Sequence, residues 1–150
     1  MNETAHWPAG YRAALIVSID VDGPYGHINA HGERDFFWRG QTAYDLPVGV
    51  PRLLDILHDR EVAATFCWVG RCIEDRPDLV RRAQAEGHEQ SIHSWDHRYY
   101  TPMGLAEQRD DMQRTFAALQ SVTGEAPRGH KTPAWRYNED TLSLVQQLGL

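Results

Sequence analysis

Apolar and polar positions along the chain switch between two regimes, continuous short runs and a helical repeat. Residues 13–19 (AALIVSI) form an apolar run, broken only by Ser18, that stops at Asp20. Such a run suits a strand buried on both faces, as in a parallel sheet. Val50, Leu53, Leu54 and Leu57 recur at i, i+3, i+4 and i+7, one face of a helix, with Pro51 near its start. Residues 61–69 (EVAATFCWV) are β-branched and aromatic and predict a second strand. Residues 77–86 predict a helix stopped at Gly87, and 88–93 a short third strand. Thr101 and Pro102 read as an N-cap and a first helical residue, followed by Leu105, Met112, Phe116 and Leu119 on one side as far as Gly124. Residues 128–132 predict a fourth strand, and Asn138 caps a last helix carrying Leu142, Val145 and Leu148. Between the first strand and the first helix, residues 21–47 show no period and read as a long functional or disordered loop.

Strands alternating with helices imply an α/β fold with a parallel sheet or barrel, here as a single domain over 1–150. In such folds the chemistry collects at the C-terminal ends of the strands. Asp20 and Asp22 end the first strand, His93 and His97 the third, and Lys131, Pro133 and Trp135 the fourth. Three reactive clusters therefore converge on one rim. One carboxylate and two imidazoles are the donors of a catalytic zinc site with a position left for water. The ion lowers the pKa of a water and polarises a carbonyl, and a second carboxylate beside it can take a proton. His93 and His97 are four apart, one face of a helical turn. That spacing alone is weak, because His27 and His31 repeat it within the aperiodic stretch and read as incidental loop histidines.

Charge and composition narrow the partners. With 15 Lys+Arg against 21 Asp+Glu the formal charge is −6, which argues against a nucleic-acid or anionic-membrane partner. No apolar run approaches the ~20 residues of a membrane span. Met1–Tyr11 shows neither a basic nor an apolar leader region, so a cytoplasmic location is expected. Cys67 and Cys72 have no metal or redox spacing and read as structural thiols. Arg109-Asp110-Asp111 reads as a solvated helix face. Phe36, Phe37 and Trp38 read as a loop anchor, with a lid as the alternative. Asp96 either orients a ligand histidine or lies exposed.

The motifs carry a resemblance. SIDVDGP at 18–24, ATFCWVG at 64–70, GHE at 87–89 with HSWDH at 93–97, and KTPAW at 131–135 resemble, in order, the motifs of the polysaccharide deacetylases, the NodB-homology domain of carbohydrate esterase family 4. The resemblance covers most of 13–150 and implies an irregular (β/α) barrel. It makes Asp20 the catalytic base and Asp22, His93 and His97 the ligands of a divalent metal, with zinc expected. Lys131 stands where the family usually has Arg, a point charge in place of a planar fork, and is expected to pair with Asp20. Trp95, Pro133 and Trp135 are expected to bind substrate, although core packing is the alternative for both tryptophans. The Asp-x-Asp spacing resembles the intracellular peptidoglycan-deacetylase-like and cyclic-imide-hydrolase-like subgroup.

The implied reaction is metal-dependent hydrolysis of a non-peptide C–N bond in an N-acetylated sugar or polysaccharide. Alternatives are a cyclic-imide or allantoin-type amidohydrolase of the same family, a haloacid-dehalogenase-like phosphohydrolase using Asp20 as nucleophile, and a non-catalytic metal-binding fragment. A βαβ unit takes roughly 30 residues, so the chain holds about four strand–helix units and is expected to be C-terminally truncated relative to the family. The family's general-acid histidine has no counterpart before Leu150, and His130 is the nearest spare imidazole. An open barrel edge could be covered by a second copy in a homo-oligomer.

Overall fold

The structure, a computed structural model, describes Pro8 and residues 10–150; the Met1–Tyr11 stretch read for a leader lies mostly outside the described residues. Four short strands, β1 (Ser18–Val21), β2 (Thr65–Trp68), β3 (Glu89–Ile92) and β4 (Gly129–His130), form one parallel sheet in the order β1-β2-β3-β4. Val21, Trp68, Ile92 and His130 share one row across the sheet. One residue further on, the chain reads Asp22, Val69, His93 and Lys131. The predicted rim is thus the next row of a single register.

Helices α3 (Val50–Asp59), α4 (Gly70–Asp75), α5 (Pro77–Ala85), α6 (Leu105–Thr123) and α7 (Glu139–Leu148) connect and flank the strands. The core joins Phe66, Trp68, Val69 and Ile92 of the sheet region to Leu54, Ile73, Val80, Met112, Leu119 and Leu144 of the helices. α5 stops at Gly87, whose φ of 85° is left-handed, and α7 starts with a capping box between Asn138 and Thr141. Both follow the sequence reading. Among the described residues no helix is long and apolar enough to cross a membrane.

Several expectations need correction. β1 is shorter than its apolar run: Leu15 and Ile16 are 89% and 81% exposed. Hydrogen bonding to β2 reaches back only to Thr65 N–H donating to Val17 O. The run has a partner on one side only among the described residues, so a sequence suited to double burial stays open there. The stretch 21–47 is not an irregular loop. It folds into α1 (Tyr25–His31), α2 (Phe36–Thr42) and a π-helical turn (Asp45–Gly49) that runs into α3. His27 and His31 are not incidental either, because both rings stack on Trp38, at 4.3 and 4.8 Å. Trp38 is thereby an anchor between α1 and α2, whereas Phe36 and Phe37 are exposed.

α6 departs most. It begins at Leu105 behind Gly104, not at Pro102. Its buried face is Gln108, Asp111, Met112, Thr115 and Leu119, while Leu105 is exposed. Asp111 is therefore not part of a solvated face. The polar members of this face are satisfied locally: Gln108 donates to Met103 O and Asn138 Oδ1, and Thr115 Oγ1 to Asp111 O. Cys67 and Cys72 are buried free thiols, and burial pushes both above the ordinary thiol range, Cys67 to about 11.

Candidate active site

Asp22 leaves the end of β1 and meets two imidazoles. Its Oδ1 lies 3.5 Å from His93 Nε2 and its Oδ2 lies 3.4 Å from His97 Nε2. The three donor groups offer atoms all within 4.8 Å of one another. These gaps exceed an ordinary N–H···O bond. They resemble the ~3.4 Å between neighbouring ligand atoms that bonds of about 2.1 Å give around a tetrahedral zinc.

The protonation pattern makes the same point. His93 Nδ1 lies 2.6 Å from Lys131 O, which can only accept, so Nδ1 carries the proton. Burial holds the His93 imidazole below its ordinary range, against the pull of Asp22. The neutral ring then turns a lone pair at Nε2 toward Asp22 Oδ1, which is buried with no hydrogen-bond partner. Two acceptors facing each other in a buried place repel unless a cation lies between them. The second ring nitrogen fixed by a backbone carbonyl is the arrangement of a metal-ligating histidine.

Asp20, two residues earlier, is separated from this group because the strand ends between them. Lys131 Nζ donates to Asp20 Oδ1 at 2.8 Å and approaches Ser18 Oγ at 3.4 Å. The two carboxylates therefore occupy different environments, one paired with a cation and one facing imidazoles.

His93 and His97 do not lie on a helical turn. Residues 94–97 form a loop in which Ser94 and His97 both have φ of 64°, yet the two rings come within 5.2 Å. Ala134 and Trp135 are also left-handed, at 49° and 58°. Among the described residues, four of the five non-glycine residues with positive φ thus flank the candidate site, where backbone strain tends to be kept. Asp96 orients neither histidine; its carboxylate takes Arg98 Nε at 3.0 Å.

The residues expected to bind substrate fall in different places. Trp95 is 8% exposed, lies on Gly70 and is covered by the Arg114 guanidinium at 3.5 Å from the ring. That position is the packing alternative and leaves little of the ring to face a substrate. Gly70 is required by the contact, since a Cβ there would come within 2.4 Å of Trp95 Cε3. Gly70→Ala is expected to destabilise the fold by about 1–3 kcal/mol, measured by denaturant unfolding; an unchanged midpoint would contradict this packing. Pro133 is buried, and Trp135 is 73% exposed with Lys131 Nζ 5.0 Å from its ring. A cleft of about 600 Å³ lies beside His97, lined by Asn29, Ala30, Arg98, Tyr99, Pro102, Met103 and Glu107. A larger groove of about 830 Å³, lined by Gln84, His88, Glu89 and Arg128 among others, lies by the strand starts and includes none of the site residues.

Burial holds His130 toward its neutral form, which disfavours it as a general acid. Its ring stacks on Tyr100 at 5.6 Å, and burial pushes its pKa down to about 4. Sequence reasoning missed Asp111, whose carboxylate accepts from the Trp95 amide in the loop between His93 and His97. Its place in a charged run hid it.

Residues 41–150 match the family model described as polysaccharide deacetylase. The chain is 27% identical over 138 residues to a peptidoglycan deacetylase of Helicobacter pylori, covering 90% of this chain and 46% of that one. A solved structure from Mycobacterium smegmatis, assigned to the polysaccharide deacetylases, superposes with a TM-score of 0.89 at 29% identity over 97% of this chain and 51% of that one. The structure of PuuE allantoinase superposes with a TM-score of 0.85 at 25% identity over 96% of this chain and 53% of that one. The chain spans about half the length of the relatives it matches.

Proposed function

Because the chain belongs to the polysaccharide deacetylase family, we propose that it provides the metal-binding and general-base half of a hydrolase that removes acetyl groups from N-acetylated sugars. The observation that carries this reading is the buried, unpartnered Asp22 Oδ1 facing the Nε2 of a neutral His93, with His97 closing the set. Asp22, His93 and His97 would hold a divalent ion, zinc by their donor chemistry. When bound, that ion supplies Lewis acidity for an amide carbonyl. The phosphohydrolase alternative gives way to the family assignment. It would also leave both histidines without a role.

The chain's own groups have separable tasks. Asp20 accepts a proton from the attacking water as general base. Lys131 holds the Asp20 carboxylate in place through Nζ, with a single contact where a guanidinium would offer two. The Lys131 carbonyl fixes the His93 tautomer. One residue thus serves both carboxylate and imidazole. The cleft beside His97 is open to a sugar, with Tyr99 as an aromatic wall and Arg98 and Glu107 as polar ones. A cyclic imide or allantoin-type amide is the second substrate class, favoured by the likeness to PuuE allantoinase. We place this reaction in the cytoplasm. A homo-oligomer that covers the outer edge of β1 is part of the proposal, and a monodisperse monomer in light scattering would count against it.

The test is the metal content of protein purified without added metal. Near-stoichiometric zinc, cobalt or nickel in the wild type and its loss in His93→Ala are expected, together with acetate release from N-acetylglucosamine oligomers. A folded wild type free of transition metal would overturn the assignment of the ligand set.

A further inference from the structure

Asp111 is 3% exposed and forms no ion pair among the described residues. A carboxylate in such a place is costly unless donors surround it. Burial raises its pKa, and the donors from Tyr100 and Trp95 work the other way. Its donors come from one segment. Trp95 N–H reaches both oxygens, at 3.1 and 3.0 Å, Tyr100 OH donates at 2.6 Å, and Ser94 Oγ lies 3.4 Å away. That segment starts beside His93 and contains His97.

The opposite side of the loop is held as well. Gly70 N–H and Arg71 N–H, at the start of α4, donate to Ser94 O and Trp95 O, each at 2.9 Å. The Ser94–Trp95 peptide is therefore gripped at its carbonyl by α4 and at its amide by Asp111 of α6. Ser94 has φ of 64°, a conformation that a non-glycine residue keeps only when its surroundings over-determine it. This left-handed step turns the chain so that His97 comes back toward His93 without a helix.

We infer that Asp111 is a positioning residue for the ligand loop: it accepts the Trp95 amide, holds Ser94 in its left-handed turn and so sets the spacing of His93 and His97. The inference rests on the metal-site reading above. A side chain that only docked α6 to the sheet would lower stability throughout the fold. A positioning group changes ligand geometry and local opening.

The test compares wild type, Asp111→Asn and Asp111→Ala by two readouts. One is zinc affinity, measured by competition with a chromophoric chelator. The other is amide hydrogen exchange of residues 94–97 in zinc-free protein, with α5 as internal reference. Zinc affinity is expected to fall about 10- to 100-fold in Asp111→Ala. Exchange of the Trp95 amide should speed up by about tenfold or more while α5 is unchanged. If Asp111→Ala does not fold, Asp111→Asn carries the test; it keeps the size and one acceptor and should show both effects in the same direction. Unchanged zinc affinity and unchanged Trp95 exchange in a folded variant would overturn the inference. Wild-type protein that binds no zinc would overturn the metal reading instead, and Trp95 exchange then decides alone whether Asp111 holds the loop.

Discussion

Asp20→Asn is expected to lower turnover by about 10²–10⁴-fold while bound zinc stays at the wild-type level. The expectation follows from the way the strand end divides the two carboxylates. Asp22 faces His93 Nε2 and His97 Nε2, whereas Asp20 is paired with Lys131 Nζ at 2.8 Å. Asparagine is nearly isosteric and its carbonyl oxygen still accepts from Lys131, so the local structure should persist. What it lacks is a basic oxygen that can take up a proton. Steady-state rates on an N-acetylated oligosaccharide, read beside metal content, check the claim. Full activity in the variant would remove Asp20 from the role of base.

The second large effect is on acid stability. The pKa of His130 is pushed down to about 4 by burial, with the nearby His93 adding to the shift. Its Nε2 is buried without a partner. In the unfolded chain a histidine titrates near 6.5. Above that value both states hold the ring neutral and the pair of states is unaffected. As pH falls below about 6.5 the unfolded chain takes up a proton that the folded one refuses, so stability declines, and the loss is complete once pH passes about 4. A shift of this size corresponds to about 3 kcal/mol. His93, also held down by burial, works in the same direction. His130→Phe keeps a ring against Tyr100 and removes the titration. Urea unfolding from pH 7 to 4 should therefore show a shallower decline in that variant; parallel curves for the two proteins would contradict it.

The rim of the sheet was legible because strand ends announce themselves: an apolar run stops at Asp20, and β3 stops at His93. The resemblance then grouped residues whose contacts no spacing could give. Asp20 and Lys131 are 111 positions apart in sequence. His93 and His97 do come together, 5.2 Å between rings, but through a left-handed turn and not the helical turn their spacing suggests. Trp95 illustrates the limit. An indole between two candidate ligand histidines reads equally well as wall or filler, and only the proximity of Gly70 and Arg114 shows how it packs. In α6 Met112 and Leu119 are buried as the apolar pattern predicts, but hydrophobicity is a poor guide where polar side chains are buried with their partners. Gln108, Asp111 and Thr115 look like surface in a sequence and form the inner face in the fold.

The proposed ligand set also has a mechanical meaning. Asp22 follows β1 and His93 follows β3, and these strands are not neighbours, because β2 lies between them. A cation held by both, as proposed, would span the top of β2 like a tie-bar. β1 has a single ladder among the described residues, and its hydrogen bonds to β2 reach back only to Val17. Its detachment would therefore have to break the coordination as well as those hydrogen bonds. Binding free energy at the rim would then become resistance to peeling at the edge.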